Sequence, residues 1–188
     1  VGFFKPHTPY VAPKKYFEMY DINNIDVPEM SDDFLKTIPE PAAISLRHKG
    51  DGKGNQYNLC KSEAQEIKRA YYATVSFLDA QVGRIIKKLK DTGLDKNTVI
   101  VFSSDHGYHL GEKGHWQKQT LYEKTTRVPL IFSGPGIVSG KKSNSPVELI
   151  DIYPTLMDLT DIKSPKHVVG KSLVPIFSNV NHKIRNSA

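Results

Sequence analysis

The sequence is poor in cysteine, in long apolar runs and in targeting segments, and each absence excludes something. Its 188 residues contain one cysteine, Cys60, so no disulfide can form within the chain, and cysteine usage does not report the redox compartment. No run of about eighteen apolar residues occurs, which predicts that no segment spans a membrane. No secretory signal pattern follows Val1, so the visible sequence does not itself indicate export.

The composition that is present suits a globular α/β unit with a basic surface. Hydrophobic residues make up 38% of the chain and charged residues 24%, which is enough apolar material for one core. The formal net charge is +6, but the basic residues are not interleaved with aromatics on one face and no nucleic-acid-binding motif occurs. We therefore expect no nucleic-acid partner. A cationic cleft that attracts an anionic substrate fits the charge better.

The spacing of apolar residues predicts helices alternating with strands. Ser62-x-x-Gln65 matches a capping box, and the apolar stripe that follows at intervals of three and four predicts a helix ending at Thr92-Gly93, with the stripe packed in the core. Strands are predicted over 98–104 and 128–133. A second helix is predicted over 147–160. Residues 21–57, rich in Asp, Pro, Asn and Gly, are predicted to form an irregular excursion.

The strongest site signal is the end of the first predicted strand, where the apolar run stops at Asp105-His106-Gly107. Ligands of α/β proteins collect outside the carboxyl ends of parallel strands, so a carboxylate and an imidazole there predict site chemistry. The alternative is an ordinary turn after a strand. The loop that follows, through Lys118, is longer than the usual length of about four to six residues and carries many titratable side chains, which favours a functional loop.

Several motifs, in the right order, resemble the sulfatases of the alkaline phosphatase superfamily. They are Lys5-Pro6-His7-Thr8-Pro9, Ser104-Asp105-His106-Gly107, Leu110-Gly111-Glu112, Trp116 to Lys118, Arg127-Val128-Pro129, Asp151-Ile152-Tyr153-Pro154 and Gly170-Lys171-Ser172-Leu173. Together with residues 73–84, the first motif is most similar to the iduronate 2-sulfatase-like branch. The resemblance implies an α/β, alkaline phosphatase-like fold with a mostly parallel or mixed sheet flanked by helices.

The resemblance also implies roles for four residues. Asp105 and His106 are implied to be metal ligands. Lys118 matches the lysine that contacts the sulfate, where a compact ammonium suits a tetrahedral anion. His7 matches the histidine that contacts the sulfate and protonates the leaving oxygen, so His7 and Lys118 are the expected catalytic and substrate-binding pair.

The identity of the metal depends on His106, because many sulfatases carry Asn at that position and bind Ca²⁺. Imidazole ordinarily suits Zn²⁺ or Mn²⁺, and phosphonate and phosphodiester hydrolases of the superfamily use Asp-His with such ions. The iduronate 2-sulfatase-like branch also carries Asp-His and is taken to use Ca²⁺. We expect Ca²⁺, with Mn²⁺ or Zn²⁺ as the alternatives.

Three further residues, His109, His115 and Arg127, are expected to bind substrate or to support the residues that do. Lys113 stands where similar sulfatases often have His. Substrate contacts are therefore expected to differ at this position.

The family's formylglycine nucleophile and its first two metal-binding aspartates precede the region that begins at Val1, and nothing equivalent occurs here. Cys60 is followed by Lys61-Ser62-Glu63, which is not the nucleophile context, and we interpret it as a semi-buried structural thiol. Asp32-Asp33 lies in the excursion and not after a strand. Residues 1–188 are therefore expected to be the middle-to-late portion of one catalytic domain, which needs its missing N-terminal part as a partner and is inactive alone.

Three functions fit the sequence. The first is a sulfatase acting on a sulfated carbohydrate or other small sulfate ester; the second is a phosphonate or phosphodiester hydrolase, and the third is a non-catalytic anion-binding module on the same scaffold. The identity of the nucleophile separates them. Because sulfatases are mostly exported, we expect a periplasmic or extracellular location, and the lack of an Asn-x-Ser/Thr acceptor argues against a lysosomal one.

Overall fold

The computed structural model describes residues 1–31, 33–46 and 59–188. These residues form two compact units. Unit 1 consists of Val1–Asp91 and His106–Val128, and unit 2 consists of Thr92–Asp105 and Pro129–Ala188. The border between the units therefore falls within the Asp105-His106 pair.

The helices and strands follow one another in this order: α1 (Lys14–Phe17), α2 (Glu40–Leu46), α3 (Lys61–Asp91), β1 (Ile100–Ser103), β2 (His109–Leu110), β3 (Trp116–Gln117), α4 (Glu123–Thr126), β4 (Leu130–Ser133), α5 (Ile152–Leu159) and α6 (Val174–Ser178). Short 3₁₀ turns lie at Ile22–Asn24, Phe34–Lys36, Leu94–Asn97, Glu112–Gly114 and Leu149–Asp151. The predicted excursion over 21–57 thus contains two 3₁₀ turns and α2. Asp32 and the glycine-rich stretch 49–54 lie outside the described residues.

The long helix α3 of unit 1 confirms the predicted helix but not its predicted start. The N–H of Ala64 donates to the carbonyl of Cys60, so Ser62 lies inside the first turn and the predicted capping box is wrong. Cys60 is exposed, with its Sγ 3.2 Å from Glu63 Oε2, so the semi-buried thiol is also wrong. The helix ends as predicted, because Gly93 adopts the left-handed conformation that follows a helix C-terminus.

The apolar stripe of α3 is only partly covered by the described residues. Tyr16 of the neighbouring segment packs against Phe77 at a ring distance of 5.4 Å, and Ala73 is fully buried. Val75 and Ile85, both in the stripe, are each 39% exposed. The buried residues of the helix, Ala64, Ala73 and Thr74, lie outside the predicted stripe, whose members are half-buried or exposed, so the stripe is not the fully buried core that was predicted.

Unit 2 contains the two predicted strands as β1 and β4, which pair antiparallel from Ile100 opposite Ser133 to Ser103 opposite Leu130. The connection over residues 104–129 contains the β2–β3 hairpin and the four-residue α4, and no longer helix of the kind that usually forms the crossover of a parallel pair. Both strand pairings among the described residues are antiparallel. The parallel pairing assumed for the strand that ends near Asp105 is therefore not found in this part of the chain.

Helix α5 starts at Ile152, later than the predicted 147, and Pro154 occupies its first turn, where proline is tolerated. The residue before it, Asp151, is 0% exposed and forms the polar centre of unit 2. Its carboxylate accepts four hydrogen bonds, from the backbone N–H groups of Glu148 and Lys171, both at 2.8 Å, and from both terminal nitrogens of Arg185, at 2.7 and 2.8 Å. Burial opposes ionisation, but the Arg185 guanidinium and the two N–H groups outweigh it and lower the pKa of Asp151.

Candidate functional site

A short hairpin in unit 1 positions the lysine that the sequence singled out. Strand β2 pairs with β3 so that His109 lies opposite Gln117, and Trp116, 4% exposed, anchors the hairpin in the interior. Gly111 has φ 99°, and a Cβ there would lie 3.1 Å from the Trp116 ring, so glycine is required at this turn. The hairpin ends directly at Lys118.

Lys118 lies on a tight turn between two residues with unusual backbone conformations. Gln117 has φ 90° and Gln119 has φ 69°, a region that residues other than glycine rarely adopt and that is concentrated at functional sites. Lys118 itself is half-buried. Within residues 1–31, 33–46 and 59–188, its ammonium makes no hydrogen bond or ion pair. The turn thus holds a cation that no described residue neutralises, and a sulfate contact by Lys118 stays a prediction.

His115 supports this turn from inside. The ring is 2% exposed, its Nε2 lies 3.0 Å from the carbonyl oxygen of Lys118, and its Nδ1 lies 3.3 Å from the carbonyl oxygen of Leu46 at the end of α2. Both ring nitrogens thus face carbonyl oxygens, and because a neutral imidazole carries one N–H, the shorter contact, from Nε2 to the Lys118 carbonyl, is assigned as the hydrogen bond. Of the two roles expected for His115, these contacts favour support over substrate binding, which stays a prediction.

His109 is 0% exposed and packs edge-on against the His115 ring at 5.0 Å. Its Nε2 lies 3.1 Å from Thr120 Oγ1 and its Nδ1 lies 3.2 Å from the carbonyl oxygen of Glu112. Burial, followed by the neighbouring His115, lowers the pKa of His109. The His109 ring thus contacts both the hairpin and the loop that follows Lys118. As for His115, these contacts favour a supporting role over substrate binding, which stays a prediction.

His7 lies on an exposed, proline-rich loop near the start of unit 1. Its Nδ1 is 2.8 Å from the carbonyl oxygen of Thr8, and its ring packs at a tilt against the Phe4 ring, with the ring centres 4.9 Å apart. The ammonium of Lys5 donates to the carbonyl of Pro9 across the same loop. The loop therefore orients the His7 ring while leaving it open to solvent.

A cluster of three tyrosines links this loop to the segment that follows His106, and the sequence reasoning missed it. Tyr10 Oη donates to Tyr108 Oη at 2.5 Å, and the Tyr71 ring stacks on Tyr108 at 5.3 Å. Burial raises the pKa of all three phenols. The only signal in the sequence is that Tyr10 lies close to His7 along the chain, and Tyr108 close to His106.

The predicted metal ligands differ in their surroundings. Asp105 is exposed, and its Oδ1 lies 3.4 Å from Ser104 Oγ. His106 is partly buried, and its Nδ1 lies 2.7 Å from the carbonyl oxygen of Gly107. Donation from Nδ1 places the ring lone pair on Nε2, which is the arrangement that a metal-binding histidine uses. The donor chemistry of the pair therefore fits a divalent cation.

Gly107 holds this segment against α4. Its N–H donates to the carbonyl of Thr125 at 2.8 Å, and a Cβ at this position would lie 2.1 Å from the carbonyl oxygen of Lys124. Within the described ranges, the Asp105-His106 segment included, no group of three or more His, Cys, Asp or Glu side chains could hold a metal ion.

The side chains of Arg127 and Lys113 contact other side chains of unit 1. Arg127 has a side chain 80% exposed and pairs with Glu123 at 3.1 Å, one helical turn away. The ammonium of Lys113 lies 5.3 Å from the Phe34 ring centre and 5.0 Å from that of Tyr122, which is cation–π geometry. A substrate contact by Arg127 stays a prediction, and Lys113 connects two segments of unit 1.

The family profile described as Sulfatase matches residues 1–162. The chain belongs to the sulfatase family. It is 40% identical to a sulfatase of Formosa agariphila, over 93% of this chain and 34% of that protein. It is 31% identical to human iduronate 2-sulfatase, over 88% of this chain and 36% of that protein. The chain thus spans about a third of the length of the curated relatives it matches.

Solved structures confirm the α/β, alkaline phosphatase-like fold. A phosphonate monoester hydrolase from Silicibacter pomeroyi superposes with a TM-score of 0.82 at 29% identity, over 96% of this chain and 37% of that chain. A protein solved in complex with its substrate, D-glucosamine-2-N,6-O-disulfate, superposes with a TM-score of 0.64 at 32% identity, over 82% of this chain and 33% of that chain.

Proposed function

We propose that these residues are the middle-to-late portion of a sulfatase catalytic domain, and that the complete domain hydrolyses sulfate esters of sulfated sugars. The sulfatase relatives and the solved neighbour with a disulfated glucosamine support this substrate class. The partly exposed apolar stripe of α3, including Val75 and Ile85, supports packing against a further part of the same domain.

The observation that carries the proposal is the half-buried Lys118 on its strained turn. Its ammonium has no ionic partner in the described part of the chain, and a partly desolvated cation attracts an anion more strongly than one in bulk water. We assign Lys118 to the sulfuryl oxygens. There it would neutralise charge that builds up as the ester bond breaks.

His7 would deliver the proton to the departing sugar oxygen. Because Nδ1 faces the Thr8 carbonyl at 2.8 Å, Nε2 is the nitrogen that would carry the transferred proton. The open position of the ring on its loop gives a substrate access to Nε2. His109, His115 and Arg127 would act around this pair, by support or by direct contact.

Sulfatases generally use a metal ion and a formylglycine. We propose Asp105 and His106 as two ligands of a divalent cation, Ca²⁺ in the first instance and Mn²⁺ or Zn²⁺ as alternatives, because one supplies a carboxylate and the other an Nε2 lone pair. Such an ion, when bound, offsets charge on the sulfuryl oxygens. The formylglycine would come from the remainder of the domain.

We further propose that the complete protein is exported to the periplasm or the cell exterior. Its partners would be a sulfated carbohydrate or other small sulfate ester and the remaining part of its own domain. None of the helices in the described residues combines the length and apolar character that crossing a bilayer demands.

The test is sulfate release by the complete catalytic domain, measured by ion chromatography with a sulfated glucosamine as substrate. Wild type should release sulfate, and Lys118→Ala should lower kcat by about 10²–10³-fold, as the loss of one transition-state charge contact does. Lys96→Ala, which removes an exposed lysine of unit 2, is the matched control and should keep full activity. The 188-residue chain alone should release none. Equal activity of Lys118→Ala and wild type would contradict the proposal.

A second candidate, a phosphonate monoester hydrolase, is favoured by the TM-score of 0.82 to such an enzyme. The imidazole of His106 also suits the Zn²⁺ or Mn²⁺ expected for that activity. Measuring kcat/KM for a phosphonate monoester beside the sulfate ester separates the two. A higher value for the phosphonate would establish the second candidate, and sulfate binding without turnover of either ester would indicate a non-catalytic anion-binding module.

A further inference from the structure

The turn at Lys118 needs a restraint outside its own backbone. Gln117 and Gln119 both have positive φ, at 90° and 69°, and each non-glycine residue held in such a region costs on the order of 1–3 kcal/mol. A turn with this conformation persists only when surrounding contacts enforce it. Without them, Lys118 and its ammonium would sample other positions.

His115 is the side chain that provides this restraint. Its buried ring connects the carbonyl of Leu46, at the end of α2, to the carbonyl of Lys118, with Nε2 at 3.0 Å from the second. A donor at Nε2 fixes the Lys118 peptide directly. On its other side the ring packs against the end of a helix distant in sequence, with Nδ1 3.3 Å from the Leu46 carbonyl oxygen.

A second contact holds the other side of the turn. His109 Nε2 lies 3.1 Å from Thr120 Oγ1, which in turn lies 2.8 Å from Thr125 Oγ1 in α4. The two rings pack against each other. This buried imidazole pair therefore contacts the turn at the Lys118 carbonyl, through His115, and at the Thr120 hydroxyl, through His109. Neither ring is accessible to a bound substrate, because both are at most 2% exposed.

We propose that His115 is a positioning residue, which holds the Lys118 ammonium at the sulfate site through its hydrogen bond to the Lys118 carbonyl and never touches the substrate. This inference rests on the proposed role of Lys118. It assigns to His115 a role in turnover that acts through the backbone.

The test compares two variants in the complete catalytic domain. His115→Leu removes the donor and keeps the volume, whereas His115→Gln can present an N–H where Nε2 lies. A misplaced catalytic group costs about 10²-fold, so His115→Leu should lower kcat for the sulfate ester by about 10–100-fold with a smaller change in KM. His115→Gln should restore most of that loss. His167→Leu, at an exposed histidine of unit 2, is the control and should match wild type.

A double-mutant cycle separates positioning from a general structural role. In a Lys118→Ala background, His115→Leu should cause no further loss of kcat, because the group it positions is gone. The same loss in both backgrounds would overturn the proposal, as would unchanged kcat in His115→Leu.

Amide hydrogen exchange provides a readout that does not need activity. Exchange in the peptide covering residues 116–121 should accelerate in His115→Leu and stay near wild type in His115→Gln. If wild type released no sulfate, the proposed function would fail, and the exchange measurement would still test the positioning. Unchanged exchange in His115→Leu would contradict it.

Discussion

Replacing Asp151 by Asn should strongly destabilise unit 2. The carboxylate is 0% exposed and accepts four hydrogen bonds, two of them from the Arg185 guanidinium, whose side chain is 11% exposed. Asn has one oxygen and turns an NH₂ group toward donors, so it cannot accept all four. Breaking a buried pair by removing one partner costs about 3–5 kcal/mol. Because Glu148 keeps one contact with Arg185, at 2.5 Å, we expect the lower end, about 3 kcal/mol.

The assay is urea denaturation of the complete domain at pH 7, with the free energy of unfolding compared between variants. Asp158→Asn, at an exposed carboxylate of α5, is the matched control and should change the free energy of unfolding by less than about 0.5 kcal/mol. An Asp151→Asn variant as stable as this control would refute the reasoning, because it would mean that the four hydrogen bonds contribute nothing net.

The effect should also depend on pH, with a defined sign. The folded-state pKa of Asp151 is lowered, so its contribution to stability is complete above the unfolded-state pKa of about 3.9 and is lost as the pH falls through the folded-state value. The stability difference between wild type and Asp151→Asn should therefore be constant from about pH 5 to 7 and shrink below about pH 4. A difference that persists undiminished at pH 2 would contradict the pKa direction.

Three other changes test the surroundings of the site. Tyr10→Phe, which deletes the hydroxyl that donates to Tyr108, should lower the free energy of unfolding by about 1 kcal/mol and should lower kcat. Tyr71→Phe keeps the ring stack on Tyr108 and should change neither quantity. Equal kcat values for the two variants would contradict a role of the tyrosine cluster. Lys113→Met should lower stability by about 0.5–2 kcal/mol through lost cation–π contacts and leave KM unchanged, and a large rise in KM would instead reveal a substrate contact. Gly107→Ala should lower the Tm because its Cβ would meet backbone, whereas Gly83→Ala has open space and should be neutral or stabilising; the reverse order would be contrary to the structure.

The elements that were predicted correctly are those whose pattern is local. The stripe of α3 repeats within one helix, and β1 and β4 are apolar runs bounded by turns, so their existence follows from neighbouring residues alone. The start of α3 was misplaced because Ser62-x-x-Gln65 matches a capping box that the backbone does not use. The antiparallel pairing of β1 with β4 is a contact between segments separated by residues 104–129, and the apolar pattern of either strand does not specify its direction.

The site was predictable in composition but not in arrangement. The order of motifs pointed to His7, His106 and Lys118 by resemblance. The His115 ring contacts the Leu46 carbonyl, 69 positions away in sequence, and the Tyr10 hydroxyl donates to that of Tyr108, 98 positions away. Side-chain periodicity carries no information about such contacts, because they arise when distant segments pack.

The measurement that tests the central claim most directly is the release of inorganic sulfate from a sulfated glucosamine by the complete catalytic domain and by its Lys118→Ala variant. The proposed function predicts sulfate release by wild type and a loss of about 10²–10³-fold in kcat for the variant. Phosphonate hydrolysis without sulfate release, or a Lys118→Ala variant as active as wild type, would contradict it.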